Sequence, residues 1–233
     1  MYQAKISQNM EWRFDNKFLH GIALKNKRNI FNVKDYIADT VIDLAGTRDG
    51  TSGGHMGRTV RILGLLVKGM LDRDLYANEL RGVDIDLLAE AARLHDVGKI
   101  SIHDKILLKP DKLTAEEFEL MKMHVDFGVM LIEKCRKKTP DNFFWEYARI
   151  MIESHHEKWN GTGYPNGLAG KKIPLYGRLM AITDVYDALT TKRPYKKALT
   201  MKEALRVIEK TGTAHFDPAI AKIFPEIIMT AGV

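Results

Sequence analysis

The chain reads as an all-α protein, a helical bundle with its chemistry in the core. Apolar residues recur at helical spacing through most of its length, and no stretch alternates apolar and polar residues as a half-buried strand does. Capping and turn residues also stand where the periodic stretches begin and end.

Val33, Ile37, Val41 and Leu44 form the first periodic stretch, which stops at Gly46 and the Asp49-Gly50-Thr51-Ser52-Gly53-Gly54 turn. A second helix starts near Gly54, carries His55 and buries Val60, Leu63 and Val67. Asp84 is placed to cap a third, running through Ile85, Leu88, Ala92 and Leu94 to Gly98, with His95 and Asp96 in its last turn. Thr114 and Glu117 have capping-box spacing and open a long helix that includes Phe118, Met121 and His124. A helix from about Asn142 to His155 follows, and then a Gly-rich turn after Trp159. The next helix holds Leu179, Ile182, Val185 and Leu189 and carries Asp184. Periodic segments around 204–208 and 220–228 complete the bundle. Residues 1–30 are less patterned and read as an N-terminal extension or linker, which leaves 31–233 as one domain.

A chain of 233 residues with 45% hydrophobic content can bury one large core. Its net charge of +6 is compatible with an anionic partner such as a phosphate ester. Lys and Arg are spread along the chain, without the basic tail that grips duplex nucleic acid. No apolar run approaches a membrane span, the nearest being 62–67, and the N-terminus lacks the apolar core of a signal peptide. One cysteine, Cys135, excludes an intrachain disulfide and makes the cytoplasm the expected compartment.

Chemistry concentrates in two adjacent pairs, His95-Asp96 and His155-His156, with His55, His124 and Asp184 before, between and after them. Imidazole and carboxylate are common ligands of divalent transition metals, and this set is too large for one tetrahedral ion. Neighbours on a helix point about 100° apart, so a pair converges on one site only near a helix end, where both pairs are expected. Asp96 has two carboxylate oxygens and suits a bridge between metals. A buried Asp184 needs a partner, and a metal is one. Two metals mean hydrolysis rather than a structural role. Lys99, one turn past His95, is a candidate for stabilising charge or assisting proton transfer. Asp187, one turn past Asp184, is a candidate for orienting water, with an ion pair as its alternative role.

These residues resemble the HD-GYP domain, a branch of the HD phosphohydrolase superfamily. The resemblance rests on Gly54-His55 with Arg58, His95-Asp96-Val97-Gly98-Lys99, Leu108-Lys109-Pro110 and Lys112-Leu113-Thr114. It continues through His124, His155-His156-Glu157, Gly163-Tyr164-Pro165, Asp184-Val185-Tyr186-Asp187-Ala188-Leu189-Thr190, Arg193-Pro194-Tyr195-Lys196 and His215-Phe216-Asp217-Pro218. It implies metals in an all-α core. One would be held by His55, His95, Asp96 and Asp184, the other by His124, His155 and His156, with Asp96 bridging. The metals implied are iron or manganese, with zinc or nickel also compatible with such ligands.

Family members often carry Glu four residues before the first metal-binding His. Thr51 stands there, which predicts two metals rather than three. The usual Asp before the Gly-Tyr-Pro turn is Asn160, which keeps a turn-forming side chain without the charge. His103 replaces a common Pro and reads as a loop residue. The resemblance makes Arg193, Lys196 and Tyr164 substrate contacts in a phosphodiesterase of bacterial signalling. That enzyme would open a cyclic dinucleotide, foremost cyclic di-GMP, to linear pGpG and in some members to GMP. It also makes a diguanylate cyclase domain an expected partner of the Gly163-Tyr164-Pro165 turn. Two other readings are a non-catalytic cyclic-dinucleotide sensor and a phosphohydrolase acting on another nucleotide. All seven ligand candidates are present, which favours the enzyme.

Overall fold

A computed structural model describes residues 38–45, 53–138, 143–191 and 197–232, without the side chains of 53–56. The proposed extension at 1–30, Thr51, Arg193 and Lys196 lie outside the described residues, as does the side chain of His55. Residues 38–45 are helical. The main helices that follow are α1 (Gly53–Leu71), α2 (Ile85–Ala91), α3 (Ala115–Lys122) and α4 (His124–Lys138). Then come α5 (Phe143–Ser154), α6 (Leu175–Thr190), α7 (Met201–His215) and α8 (Pro218–Ala231). No strand forms among the described residues; one isolated bridge joins Asn160 to Ala169. The expected all-α class holds.

α5 is the axis of the bundle. It packs on α4, α2 and α6, and it buries Phe144, Trp145, Ala148, Met151 and Ile152. Trp145 shares the fully buried centre with Tyr186 of α6 and Phe224 of α8, and burying each large apolar side chain stabilises by about 1.5–3 kcal/mol. α6 is buried on most of its circumference, so Asp184 and Asp187 enter the core on a helix that packing already fixes.

Two helix boundaries differ from the sequence expectation, and both differences shape the site. Asp84 does cap α2, accepting from the Leu87 amide at 2.9 Å, but the α-helix stops at Ala91. Two 3-10 turns, Ala92–Leu94 and Val97–Ser101, take over, and His95 and Asp96 lie between them. Asp96 has φ −103° and ψ 7°, outside the helical well, so this adjacent pair escapes the 100° divergence of a regular helix. The Thr114/Glu117 capping box also forms, yet α3 ends at Lys122 and His124 begins α4 instead of continuing one long helix.

The tight backbone at Gly98 explains the first break. A Cβ there would overlap the His124 carbonyl and the Gly128 amide, and one on Gly128 would press on Ile152 of α5 at 2.8 Å. Only glycines let the 3-10 turn lie backbone-to-backbone on α4, and α4 close on α5. That contact brings the pieces carrying His95-Asp96, His124 and His155 together. Gly98→Ala is expected to lower stability by about 1–3 kcal/mol through overpacking, read as a fall in Tm, because backbone rather than a flexible side chain stands in the way.

Candidate metal centre

Three histidines are set by the same local device. His95 Nδ1 donates to the Ala92 carbonyl at 2.8 Å, His124 Nδ1 to Met121 at 2.7 Å, and His155 Nδ1 to Met151 at 2.9 Å. A carbonyl only accepts, so each Nδ1 keeps its proton and each Nε2 is directed the other way, as metal-binding imidazoles are held. All three residues are buried.

The three Nε2 atoms converge on Asp96, and its two oxygens face different groups. Oδ1 lies 3.5 Å from His124 Nε2 and 3.8 Å from His155 Nε2. Oδ2 lies 3.3 Å from His95 Nε2 and accepts from Lys99 Nζ. Asp184 Oδ1 approaches the same His95 nitrogen at 3.6 Å. His156 completes the cluster: one ligand atom from each of Asp96, His124, His155 and His156 lies within 4.8 Å of the others. The structure therefore brings six of the seven candidate ligands together. The seventh, His55, stands in the first turn of α1.

Buried Asp96 Oδ1, His124 Nε2 and His155 Nε2 have no hydrogen-bond partner among the described residues. Leaving such atoms unsatisfied costs about 1–3 kcal/mol each. A divalent cation would satisfy them together, and a nitrogen–oxygen donor set of this kind suits a first-row transition metal. The electrostatics agree. Burial, reinforced by His155 and Lys99, pushes His124 down to about 4, and burial with His155 holds His156 well below the ordinary histidine range. Both are thus neutral, as ligands must be. Burial also opposes charge on His95, but Asp96 and Asp184 outweigh it and raise that imidazole to about 10, so without a cation it carries a proton that a bound metal would displace. The two carboxylates attract a positive charge, and Lys99 and His95 in turn hold Asp96 ionised far below the usual range despite its burial.

Asp187 is not free to turn toward the cluster. Its Oδ1 accepts from Arg58 Nε at 2.8 Å and its Oδ2 from the Thr191 hydroxyl at 3.2 Å, while Arg58 Nη2 reaches Thr191 Oγ1 at 2.7 Å. The carboxylate is fully buried and held in this network, the ion pair that stands as the alternative to orienting water. Arg58 lies three residues after His55 on α1 and Asp187 three after Asp184 on α6, so the pair ties those two helices one turn from the ligands.

Tyr164 forms the outer wall. Its ring stacks on His156 with centroids 4.5 Å apart, and its amide donates to the His156 carbonyl at 3.2 Å. Burial and the charges of Asp96 and Asp184 raise the phenol above its ordinary value, so it stays a donor. Asn160 accepts from the Thr162 amide at 3.0 Å and from its hydroxyl at 2.7 Å, the turn expected without the charge of Asp. Gly163 is obligatory here because a Cβ would meet the backbone of His156, Glu157 and Lys158. His103 is exposed and accepts from the Lys105 amide, as the cap of the short helix Asp104–Leu107.

Glu157 had a place in the motif but no sequence-derived role. It is buried, and its two oxygens accept from the Asn166 amide at 2.8 Å and the Leu168 amide at 2.9 Å, folding the turn back onto the second histidine pair. The signal was available: a carboxylate directly after two ligands and before a glycine turn needs donors, and backbone amides are nearest. Glu157→Gln would set an amide donor against one of these N–H groups. About 1.5–3 kcal/mol of charge-assisted bonding is expected to be lost, visible as faster limited proteolysis within 158–170.

A family model described as HD domain matches residues 77–220. A probable cyclic di-GMP phosphodiesterase of Vibrio cholerae serotype O1 is 39% identical over 210 residues, covering 90% of this chain and 48% of that protein. A cyclic di-GMP phosphodiesterase of Thermotoga maritima is 35% identical over 181 residues, covering 78% and 46%. A 3'3'-cGAMP-specific phosphodiesterase 2 of Vibrio cholerae is 32% identical over 209 residues, covering 88% and 38%. The chain thus spans about half the length of these curated relatives, or less. Among the described residues no helix is long and apolar enough to cross a membrane.

Proposed function

The chain belongs to the HD-domain family, and on that premise we propose that it is a metal-dependent phosphodiesterase opening a cyclic dinucleotide, foremost cyclic di-GMP. The observation that carries the reading is the convergence of His Nε2 atoms on both oxygens of Asp96. Relatives named for cyclic di-GMP or cyclic GMP-AMP support the substrate class. The product is linear pGpG, with GMP as a further product, and the reaction belongs to bacterial signalling in the cytoplasm.

His95, Asp184 and Asp96 Oδ2, with His55, would hold one metal; His124, His155, His156 and Asp96 Oδ1 would hold the other. Iron and manganese fit these donors best, and zinc or nickel also suit them. Bound there, two divalent ions supply Lewis acidity toward a phosphoryl oxygen and an activated water near neutral pH.

The protein's own groups do the rest. Asp96 links both halves of the site through one rigid carboxylate. Lys99, held on Asp96, fixes a positive charge at the cluster for the anionic diester. Asp187 acts through Arg58 as a positioning residue. Tyr164 offers its hydroxyl as a donor to the substrate, and Arg193 and Lys196 take the phosphates, a role for which a guanidinium fork and an ammonium are suited. The Gly163-Tyr164-Pro165 turn, of which Pro165 is exposed, is the docking place for a diguanylate cyclase domain.

Product chromatography tests this reading. Protein loaded with manganese or ferrous iron should convert cyclic di-GMP to pGpG, and a parallel reaction with cyclic GMP-AMP ranks the two substrates. Binding without cleavage in fully loaded protein would make the chain a sensor. Neither binding nor cleavage would remove the cyclic dinucleotide as ligand.

A further inference from the structure

α3 is built largely by local forces. Its capping box is complete, yet none of its residues is buried, and the same holds for all residues from 103 to 123. The segment adds nothing to the core, but it carries large apolar side chains. Phe118 is 44% exposed, with Leu120 and Met123 also open. The inner edge of Phe118 meets Tyr164 in a T-shaped contact, centroids 5.9 Å apart and rings at 86°. Tyr164 stacks in turn on His156. Lys122 Nζ stands 5.5 Å from the Phe118 centroid and 5.6 Å from that of Tyr164, and its ion pair with Glu119 at 2.7 Å fixes the ammonium there. α3 ends two residues before His124, so this corner is tied covalently to the metal cluster.

We propose that Phe118 and Lys122, with Tyr164, form the wall on which one purine base of the dinucleotide stacks. The assignment rests on the phosphodiesterase reading and adds a specificity element to it. A half-exposed phenyl ring beside the cluster offers a face of the kind nucleobases stack on. The ammonium matches the acceptor edge of a guanine or an adjacent phosphate oxygen. Leu120 and Met123 extend the apolar surface beyond this wall.

The test compares Phe118→Ala, Phe118→Trp and Lys122→Gln in the full chain, loaded with manganese, on cyclic di-GMP. Phe118→Ala should raise KM by roughly 5- to 150-fold, the span of one lost base–aromatic stack, with kcat changed little. Bound metal and Tm should stay at the parent values, because nothing on α3 is buried. Phe118→Trp should restore KM, and Lys122→Gln should raise it less than Phe118→Ala does. An unchanged KM in Phe118→Ala, with the parent active, would overturn the stacking wall and leave the enzyme intact. Loss of metal or of Tm in Phe118→Ala would overturn it as well, by showing a structural role. A parent chain that neither binds nor cleaves cyclic di-GMP would remove the phosphodiesterase reading itself.

Discussion

Asp96→Asn is expected to lower cleavage of cyclic di-GMP on the order of a thousandfold and to release bound metal. Among the described residues, Asp96 is the group whose two oxygens face both halves of the cluster. Oδ1 lies toward His124 and His155, and Oδ2 toward His95 and Lys99. An amide keeps the shape but turns one oxygen into a donor, which no metal accepts. Metal ions contribute several kcal/mol of charge stabilisation in the transition state, and each 1.4 kcal/mol is worth about tenfold in rate. The fold should survive, since Asp96 stands among the polar groups of the cluster and not in the apolar core. Intact far-UV circular dichroism with lost turnover is the expected pair of results. Rates within tenfold of the parent would show that the bridge is not at this carboxylate.

Arg178→Met is expected to give the largest loss of stability, about 3–5 kcal/mol, the range for stranding a buried charge. Arg178 of α6 donates to Asp217 Oδ2 at 2.6 Å and to the Ile173 carbonyl at 3.0 Å. Asp217 also accepts from the Tyr76 hydroxyl at 2.7 Å and caps α8 through the Ala219 amide at 2.9 Å. Both charges are almost wholly buried, and the guanidinium lies 4.8 Å from the Tyr76 centroid. Met keeps most of the volume, so the loss isolates the stranded carboxylate. For a domain of this size each kcal/mol moves Tm by roughly 2–4 °C. Adding Asp217→Asn to the same chain should recover part of the fall, because the amide needs no counter-charge. If the double variant is no more stable than the single one, packing rather than charge holds this joint.

The residues that bear chemistry were legible because they are compositionally unusual. Two adjacent ligand pairs at helix ends have few structural uses, and the structure gathers six of the seven candidates around Asp96. The helices were legible from periodicity, and the caps at Asp84 and Thr114 formed as their spacing predicts. What periodicity could not show was where those helices break. The breaks before His95 and His124 depend on a backbone-to-backbone approach at Gly98 and Gly128, two long-range contacts that leave no periodic trace. The partner of Asp187 was hidden for a related reason, since Arg58 lies 129 residues away. The His215-Phe216-Asp217-Pro218 motif likewise gave no hint that its carboxylate closes onto α6.

The central claim is that the cluster around Asp96 holds the ions that make the chain a hydrolase. Titrating metal-free protein with manganese, or with ferrous iron under anaerobic conditions, tests it most directly, with bound metal and cyclic di-GMP cleavage followed together. Turnover should rise from zero and level off at two bound ions per chain, in step with a rise in Tm. Full turnover in protein kept free of metal by a chelator would contradict the claim, and saturation only at three ions would overturn the reading of Thr51.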